Sequence, residues 1–235
     1  MVHPLAVLSS DPWRALSQLV DGPLHPGGVD ATETLLSRAG VDDGTRLLDI
    51  GCGAGDAMAL ARDRGARAIG LDRDPRVSAV VRADLTAFPF EERCFDVVLG
   101  ECVLCLSPDL EETLRESARV LEPGGRLALS DVTVSGQLPE MPPPIDDLLC
   151  LDGPREQTDI CRHIEHVGFE IDDVRTHPEA LLAMRDRLLE PLDTERLIAA
   201  LGDRGTQLRD GANDLEAVIE TGQIGYVSIV ATHRP

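Results

Sequence analysis

Lysine is absent from the 235 residues: all 22 basic side chains are arginines, set against 42 acidic ones, for a formal net charge of −20. A surface this acidic repels a nucleic-acid backbone and an anionic membrane, so neither is expected as a partner. Without lysine there is no phosphate-binding P-loop. Long apolar runs are also missing: no stretch approaches the roughly 20 residues that span a bilayer. The opening residues Met1-Val2-His3-Pro4-Leu5 lack a basic n-region and a sustained apolar run, so no secretion signal is expected and the cytoplasm is the expected compartment. Cysteine is sparse. Cys52, Cys94, Cys102, Cys105, Cys150 and Cys161 are too few for a disulfide framework in a chain this long. Neither a CxxC…CxxC pattern nor an HExxH motif is present, which argues against structural zinc or a zincin. The missing lysine and the excess of Asp over Glu fit a GC-rich genome or a salt-adapted host and carry no functional message.

What is present is ordinary for a folded protein. The hydrophobic fraction is 43% and the charged fraction 27%, and the length supports one large domain or two small ones with a sizeable core. Residues 1–44 read as a helical lead-in and lid. Asp11-Pro12-Trp13 opens a helix, Leu24-His25-Pro26-Gly27-Gly28 is loop, and Asp30 with Glu33 predicts a capping box for a helix through about Gly40. From residue 45 to 235, short apolar segments alternate with helical ones. Strands are expected at 47–50, 68–72, 79–84, 95–100, 125–130, 169–174 and 224–231. Helices are expected at about 55–64, 109–121 and 156–167, with a helical insertion at about 178–220 broken near Pro191 and Gly202. Pro139, Pro142, Pro143 and Pro144 make 133–157 an ordered loop or lid. The pattern predicts a doubly wound α/β fold: a mostly parallel seven-stranded sheet with helices on both faces.

The chemistry gathers at strand ends. Asp49-Ile50 closes the first strand and runs into Gly51-Cys52-Gly53-Ala54-Gly55 and a helix. Glycines there permit close backbone approach to a nucleotide-like ligand, and the amides at the helix start face acceptors. Seventeen residues beyond Gly55, Asp72 ends the second strand, where a carboxylate can accept from both ribose hydroxyls. The spacing G-x-G-x-G differs from the dinucleotide fingerprint G-x-G-x-x-G.

Leu48-Asp49-Ile50-Gly51-Cys52-Gly53-Ala54-Gly55, then Asp72, Ala83-Asp84-Leu85, Phe95-Asp96-Val97-Val98 and Arg119-Val120-Leu121-Glu122-Pro123-Gly124-Gly125 resemble, in order and spacing, the class I S-adenosylmethionine-dependent methyltransferases. The resemblance covers about residues 45–132. It implies S-adenosylmethionine as cofactor, with Asp49, Gly51, Cys52, Gly53 and Gly55 near the methionine moiety. Asp72 with its neighbour Arg73 would lie at the ribose and Asp84 and Leu85 at the adenine, with Glu101 completing the set. Within that group, Glu101-Cys102-Val103-Leu104-Cys105-Leu106-Ser107-Pro108-Asp109 and Leu149-Cys150-Leu151-Asp152-Gly153-Pro154 resemble the thiol segments of arsenite methyltransferases. The resemblance implies that Cys102 and Cys150 hold trivalent arsenic beside the methyl donor. Thiolates select such a soft centre, and its lone pair attacks the methyl without a general base. The chain departs from that group in having no cysteine before Cys52 and in placing Glu101 where asparagine is usual.

Other readings of the same residues stay open. For a hydroxyl or amine acceptor, Glu101 or His25 is the candidate general base and both thiols are structural. A non-catalytic protein that binds S-adenosylmethionine or a metalloid would carry the same glycine loop. Cys105 is a third thiol ligand or, more in keeping with its type, a core residue; Cys94 and Cys161 read as core. His163 and His166 read as solvated. Residues 178–220 either cover the sheet edge or form a homodimer surface.

Overall fold

The computed structural model of the protein describes residues 22–75, 77–138, 156–190 and 202–234. The chain divides into two compact units that interleave in sequence. The larger comprises Val29–Asp131, Glu156–Thr176 and Val227–Pro235. It begins with α1 (Gly28–Arg38), which enters it after its first residue, and continues through β1 (Arg46–Ile50), α2 (Asp56–Asp63), β2 (Arg67–Asp72), β3 (Val80–Arg82) and β4 (Phe95–Glu101). A single 3-10 turn at Leu104–Leu106 leads to α3 (Leu110–Val120), β5 (Leu121–Val134), α4 (Gln157–His166) and β6 (Phe169–Thr176). The last strand, β7 (Ile224–His233), closes the sheet.

The seven strands lie in the order β3-β2-β1-β4-β5-β7-β6. Pairing is parallel from β3 through β5, and β6 runs antiparallel to β7. After β1 the chain works outward to β2 and β3, then crosses back to lay β4 on the other side of β1. That reversal opens a crevice at the carboxyl ends of β1 and β4, where ligands of doubly wound sheets bind.

Alternation along the central strands sends side chains to two cores. Leu48, Val98, Leu127 and Leu129 join one with Leu114 and Ala118 of α3 and Ile160 and Ile164 of α4. Leu47, Val97, Leu99 and Ala128 join the other with Leu35 and Leu36 of α1 and Met58 and Ala61 of α2. Strands buried on both faces read as unbroken apolar runs, which is why they were visible in the sequence. Truncating a residue such as Leu48, fully buried, would cost about 2–5 kcal/mol.

Three local readings change. Helix α1 starts at Gly28, so Asp30 sits inside its first turn and does not cap it. The carboxylate of Glu33 turns instead to the guanidinium of Arg64, which also donates to the Glu33 carbonyl at 2.8 Å. The fifth strand starts at Leu121 and runs to Val134, into the segment expected to be loop, with a register break between Phe95 and Val97 of its partner.

The second unit comprises Met1–Gly28, Val132–Arg155 and His177–Tyr226. It carries α5 (Ala180–Leu189) and α6 (Asp203–Glu220), which fall within the insertion expected at about 178–220. The N–H of Ser135 donates to Gln223 at 2.8 Å, and that of His177 to Tyr226 at 2.8 Å. Arg187 on α5 donates to the Pro23 carbonyl. The Asp11 helix start, the four clustered prolines and Cys150 lie outside the described residues. Among the described residues no helix is long and apolar enough to cross a membrane.

Candidate active site

The carboxyl end of β1 carries Asp49, 3% exposed. Among the described residues its Oδ2 is buried with no hydrogen-bond partner. Burial pushes its pKa well above the ordinary carboxylate value, and repulsion from Glu101, Asp72 and Asp56 pushes it further. The negative charges of Glu101, Asp72 and Asp56 are thus all felt at this buried position. That arrangement is unfavourable as it stands and suits a cation.

Beyond Asp49 the backbone turns through Gly51, Gly53 and Gly55, with φ of +68°, +49° and +83°. The amides of Gly51 and Cys52 donate to the Leu71 carbonyl at 2.7 and 3.3 Å, tying the loop to β2. A Cβ on Gly51 would stand 2.3 Å from Cγ2 of Val103, whereas one on Gly53 would meet nothing within 4 Å. Gly51 is thus a packing notch and Gly53 lines open space. Asp72 locks the loop from the end of β2: its Oδ2 accepts from the Gly53 amide at 2.9 Å and its Oδ1 from the Asp74 amide at 2.8 Å.

The remaining sequence-predicted residues fall as follows. Cys52 is buried against the Gly70 backbone, and burial, then Asp49 and Asp72, push its thiol up to about 12, so it is inert. Arg73 is exposed, and its carbonyl accepts from Arg82 at 2.7 Å. Asp84 Oδ1 accepts from the amide and hydroxyl of Thr86 at 3.1 and 3.0 Å, which holds the carboxylate's orientation and its pKa below the usual range. Leu85 is 7% exposed and packs in the core with Phe88.

On the β4 side, Glu101 is half-buried and both its oxygens lie in reach of the Thr32 hydroxyl, at 3.2 and 3.0 Å. Thr32, on α1, is completely buried. Cys102 follows in the left-handed region at φ +51°, with its amide donating to the Ser130 carbonyl at 2.8 Å. Cys105 is half-buried, and its thiol lies 3.7 Å from the Cys102 carbonyl. Cys94 and Cys161 do pack against a core, and burial raises both thiols. His166 is exposed and His163 half-buried on α4. Among the described residues no group of three or more His, Cys, Asp or Glu side chains is arranged to hold a metal ion. His25 belongs to the second unit, buried with Nδ1 3.0 Å from the Pro26 carbonyl.

Three contributors were not singled out from sequence. Asp56 opens α2 within reach of Asp49, Thr32 holds Glu101, and Asp131 accepts backbone amides after β4. Only Asp131 left a signal, as a charge inside β5 two residues beyond the apolar run Leu127-Ala128-Leu129.

With that geometry in place, comparison with known proteins places the chain. The methyltransferase domain profile matches residues 48–129, the stretch from β1 to β5 that builds this crevice. The chain is an S-adenosylmethionine-dependent methyltransferase. The enzyme is 29% identical over 231 residues to a "Methyltransferase GfsG" of Streptomyces halstedii, covering 89% of this chain and 81% of the relative. It is 34% identical over 121 residues to an arsenite methyltransferase of Aquipseudomonas alcaligenes, covering 41% of this chain and 35% of that relative. The fold matches phosphoethanolamine N-methyltransferase 2 of Haemonchus contortus, solved with S-adenosyl-L-methionine, at a TM-score of 0.74 and 20% identity, covering all of this chain and 61% of that one. The methyltransferase reading stands apart from the choice of acceptor.

Proposed function

We propose that the acidic crevice around Asp49 holds S-adenosylmethionine and that the enzyme methylates a soft, thiol-bound acceptor such as trivalent arsenic, held by Cys102 and Cys150. The observation that carries the cofactor half is the buried Asp49 oxygen without a partner, which feels the negative charges of Glu101, Asp72 and Asp56. A sulfonium and an ammonium group offset that repulsion, so the residues present fit the cofactor. In this reading Gly51, Cys52, Gly53 and Gly55 give backbone approach at the methionine end, Asp72 and Arg73 lie at the ribose, and Asp84 and Leu85 flank the adenine.

When bound, the cofactor supplies an electrophilic methyl group on sulfur. The chain's own task is alignment and exclusion of water. Cys102 stands one residue beyond β4, at the carboxyl edge that opens on the crevice. A thiolate there selects a soft centre over hard oxygen or nitrogen acceptors. Glu101, held by Thr32, adds negative charge on the cofactor side. A second reading rests on that same contact: a carboxylate fixed at the end of β4 could take the proton of a hydroxyl acceptor.

The test is mass spectrometry of arsenic species after incubation with S-adenosylmethionine, arsenite and a reducing thiol. Methylated arsenic from the wild type, lost in both Cys102→Ser and Cys150→Ser, is the expected result. No methylated arsenic from protein that binds cofactor would reject the soft acceptor. Glu101→Gln then becomes the informative variant against hydroxyl substrates.

A further inference from the structure

We propose that Asp131 is a positioning residue of the acceptor end: its carboxylate, reaching over from β5, sets the conformation of the Cys102–Cys105 turn. The inference rests on the reading above that the acceptor meets the enzyme at the carboxyl end of β4.

The β4–β5 ladder stays in register up to Glu101 opposite Ser130. One residue later the Cys102 amide still donates to Ser130, but its own φ of +51° turns the chain out of the sheet. A non-glycine residue holds that conformation only where its surroundings impose it. Three contacts do so. Ser130 holds the Cys102 amide. Val103, 2% exposed, wedges into the notch left by Gly51 and Gly100, where a Cβ would stand 2.3 and 2.8 Å from its methyls. Asp131, 3% exposed, accepts through Oδ2 from the amides of Leu104 at 2.9 Å and Cys105 at 3.3 Å.

Those amides are orphan donors at the start of the Leu104–Leu106 turn, and the capping position, Val103, offers no side-chain acceptor. The cap therefore comes from a neighbouring strand. A buried carboxylate is costly unless hydrogen-bonded, and here its Oδ2 accepts both amides of the turn that carries the thiols. The arrangement couples the two halves of the site through adjacent residues. Val103 leans on the cofactor loop while Leu104 and Cys105 hang from Asp131, with Cys102 between Glu101 and this brace.

The experiment follows Cys102 directly. Full-length wild type, Asp131→Ala and Asp131→Asn are alkylated with iodoacetamide, and each cysteine is read by peptide mass spectrometry, with Cys161 on α4 as internal reference. Affinity for S-adenosylhomocysteine is titrated in parallel. The alanine variant should alkylate at Cys102 about tenfold faster, the scale of one lost hydrogen bond to a charged acceptor. Cys161 should be unchanged and S-adenosylhomocysteine affinity within about threefold. The asparagine variant, whose amide oxygen still accepts, should restore the wild-type rate. If alanine does not melt cooperatively, Asp131→Leu fills the volume while accepting nothing and takes its place. An unchanged Cys102 rate, equal acceleration of Cys161, or identical behaviour of the asparagine and apolar variants would overturn the proposal. Arsenite methylation by the wild type is scored separately: its absence removes the acceptor reading and leaves the alkylation result to judge Asp131.

Discussion

Gly51 and Gly53 are two residues apart in one loop, both at positive φ, and the structure predicts opposite consequences for the same substitution. Alanine at 51 meets two penalties. The left-handed conformation costs about 1–2 kcal/mol for a residue with a Cβ. The new methyl would also stand 2.3 Å from Val103 Cγ2 and 3.1 Å from its Cβ, an overlap relieved only by moving Val103 or the loop. Overpacking of that kind costs about 1–3 kcal/mol. The sum, about 2–5 kcal/mol, corresponds to a melting temperature lower by about 10 °C for a chain of this size. Alanine at 53 incurs only the conformational cost, because nothing lies within 4 Å of its Cβ. Its melting temperature should fall by only about 4 °C. The methyl would instead occupy the open space that the glycine loop leaves at this position and should weaken S-adenosylhomocysteine binding more than tenfold, roughly 1.4 kcal/mol or more. Differential scanning calorimetry and isothermal titration of both variants make the comparison. A Gly53→Ala protein that binds normally but is the less stable of the two would refute the assignment of notch and cradle.

Asp49→Asn should raise the melting temperature of the ligand-free protein at pH 8, by an amount equivalent to about 1–3 kcal/mol for relief of a buried, partnerless charge. The raised pKa of Asp49 in the fold sets the sign. The protonated form is favoured in the folded state, so the wild type gains stability as pH falls from the raised value toward 3.8 and loses it as pH rises through the raised value. The advantage of the variant should therefore shrink toward pH 5, and a constant difference across that range would contradict the titration. Thr32→Val should weaken S-adenosylmethionine binding about tenfold, with Thr32→Ser restoring it, because the hydroxyl is a charge-assisted donor to Glu101; equal affinity in all three would remove Thr32 from the site. Cys52, with its thiol near 12, should be the last of the described cysteines alkylated at pH 8 by native protein, and early modification would show that the glycine loop opens.

Much of this was legible in the sequence for one reason: buried parallel strands cannot hide. Leu47-Leu48 and Val97-Val98-Leu99 face helices on both sides and read as apolar runs, and all seven expected strands exist. The glycine loop and Asp72 were readable because backbone conformation dictates residue type there. The failures are also physical. Asp30 and Glu33 had the spacing of a capping box, but the helix begins three residues earlier than that box would place it and Arg64 claims the glutamate. The strand order and the antiparallel β6–β7 pair follow from connections that local pattern does not encode. Thr32 and Asp131 escaped because their partners lie 69 and 27 residues away, so the contact exists only once the sheet has formed.

Helix α1 has a bearing on how such enzymes could be recombined. Thr32 on it touches Glu101 at the end of β4, while Arg38 six positions later reaches Asp173 on β6 and Ser228 on β7. Six residues of helix span about 9 Å, so the segment works as a strut of fixed length across the sheet. A chimera that swaps the first forty residues for those of a relative inherits that strut or breaks it. Grafts preserving a hydroxyl at 32 and a guanidinium at 38 keep both footings. Grafts that shift their spacing by a single residue rotate one footing about 100° around the helix, and the crevice would then be assembled around a differently aimed Glu101.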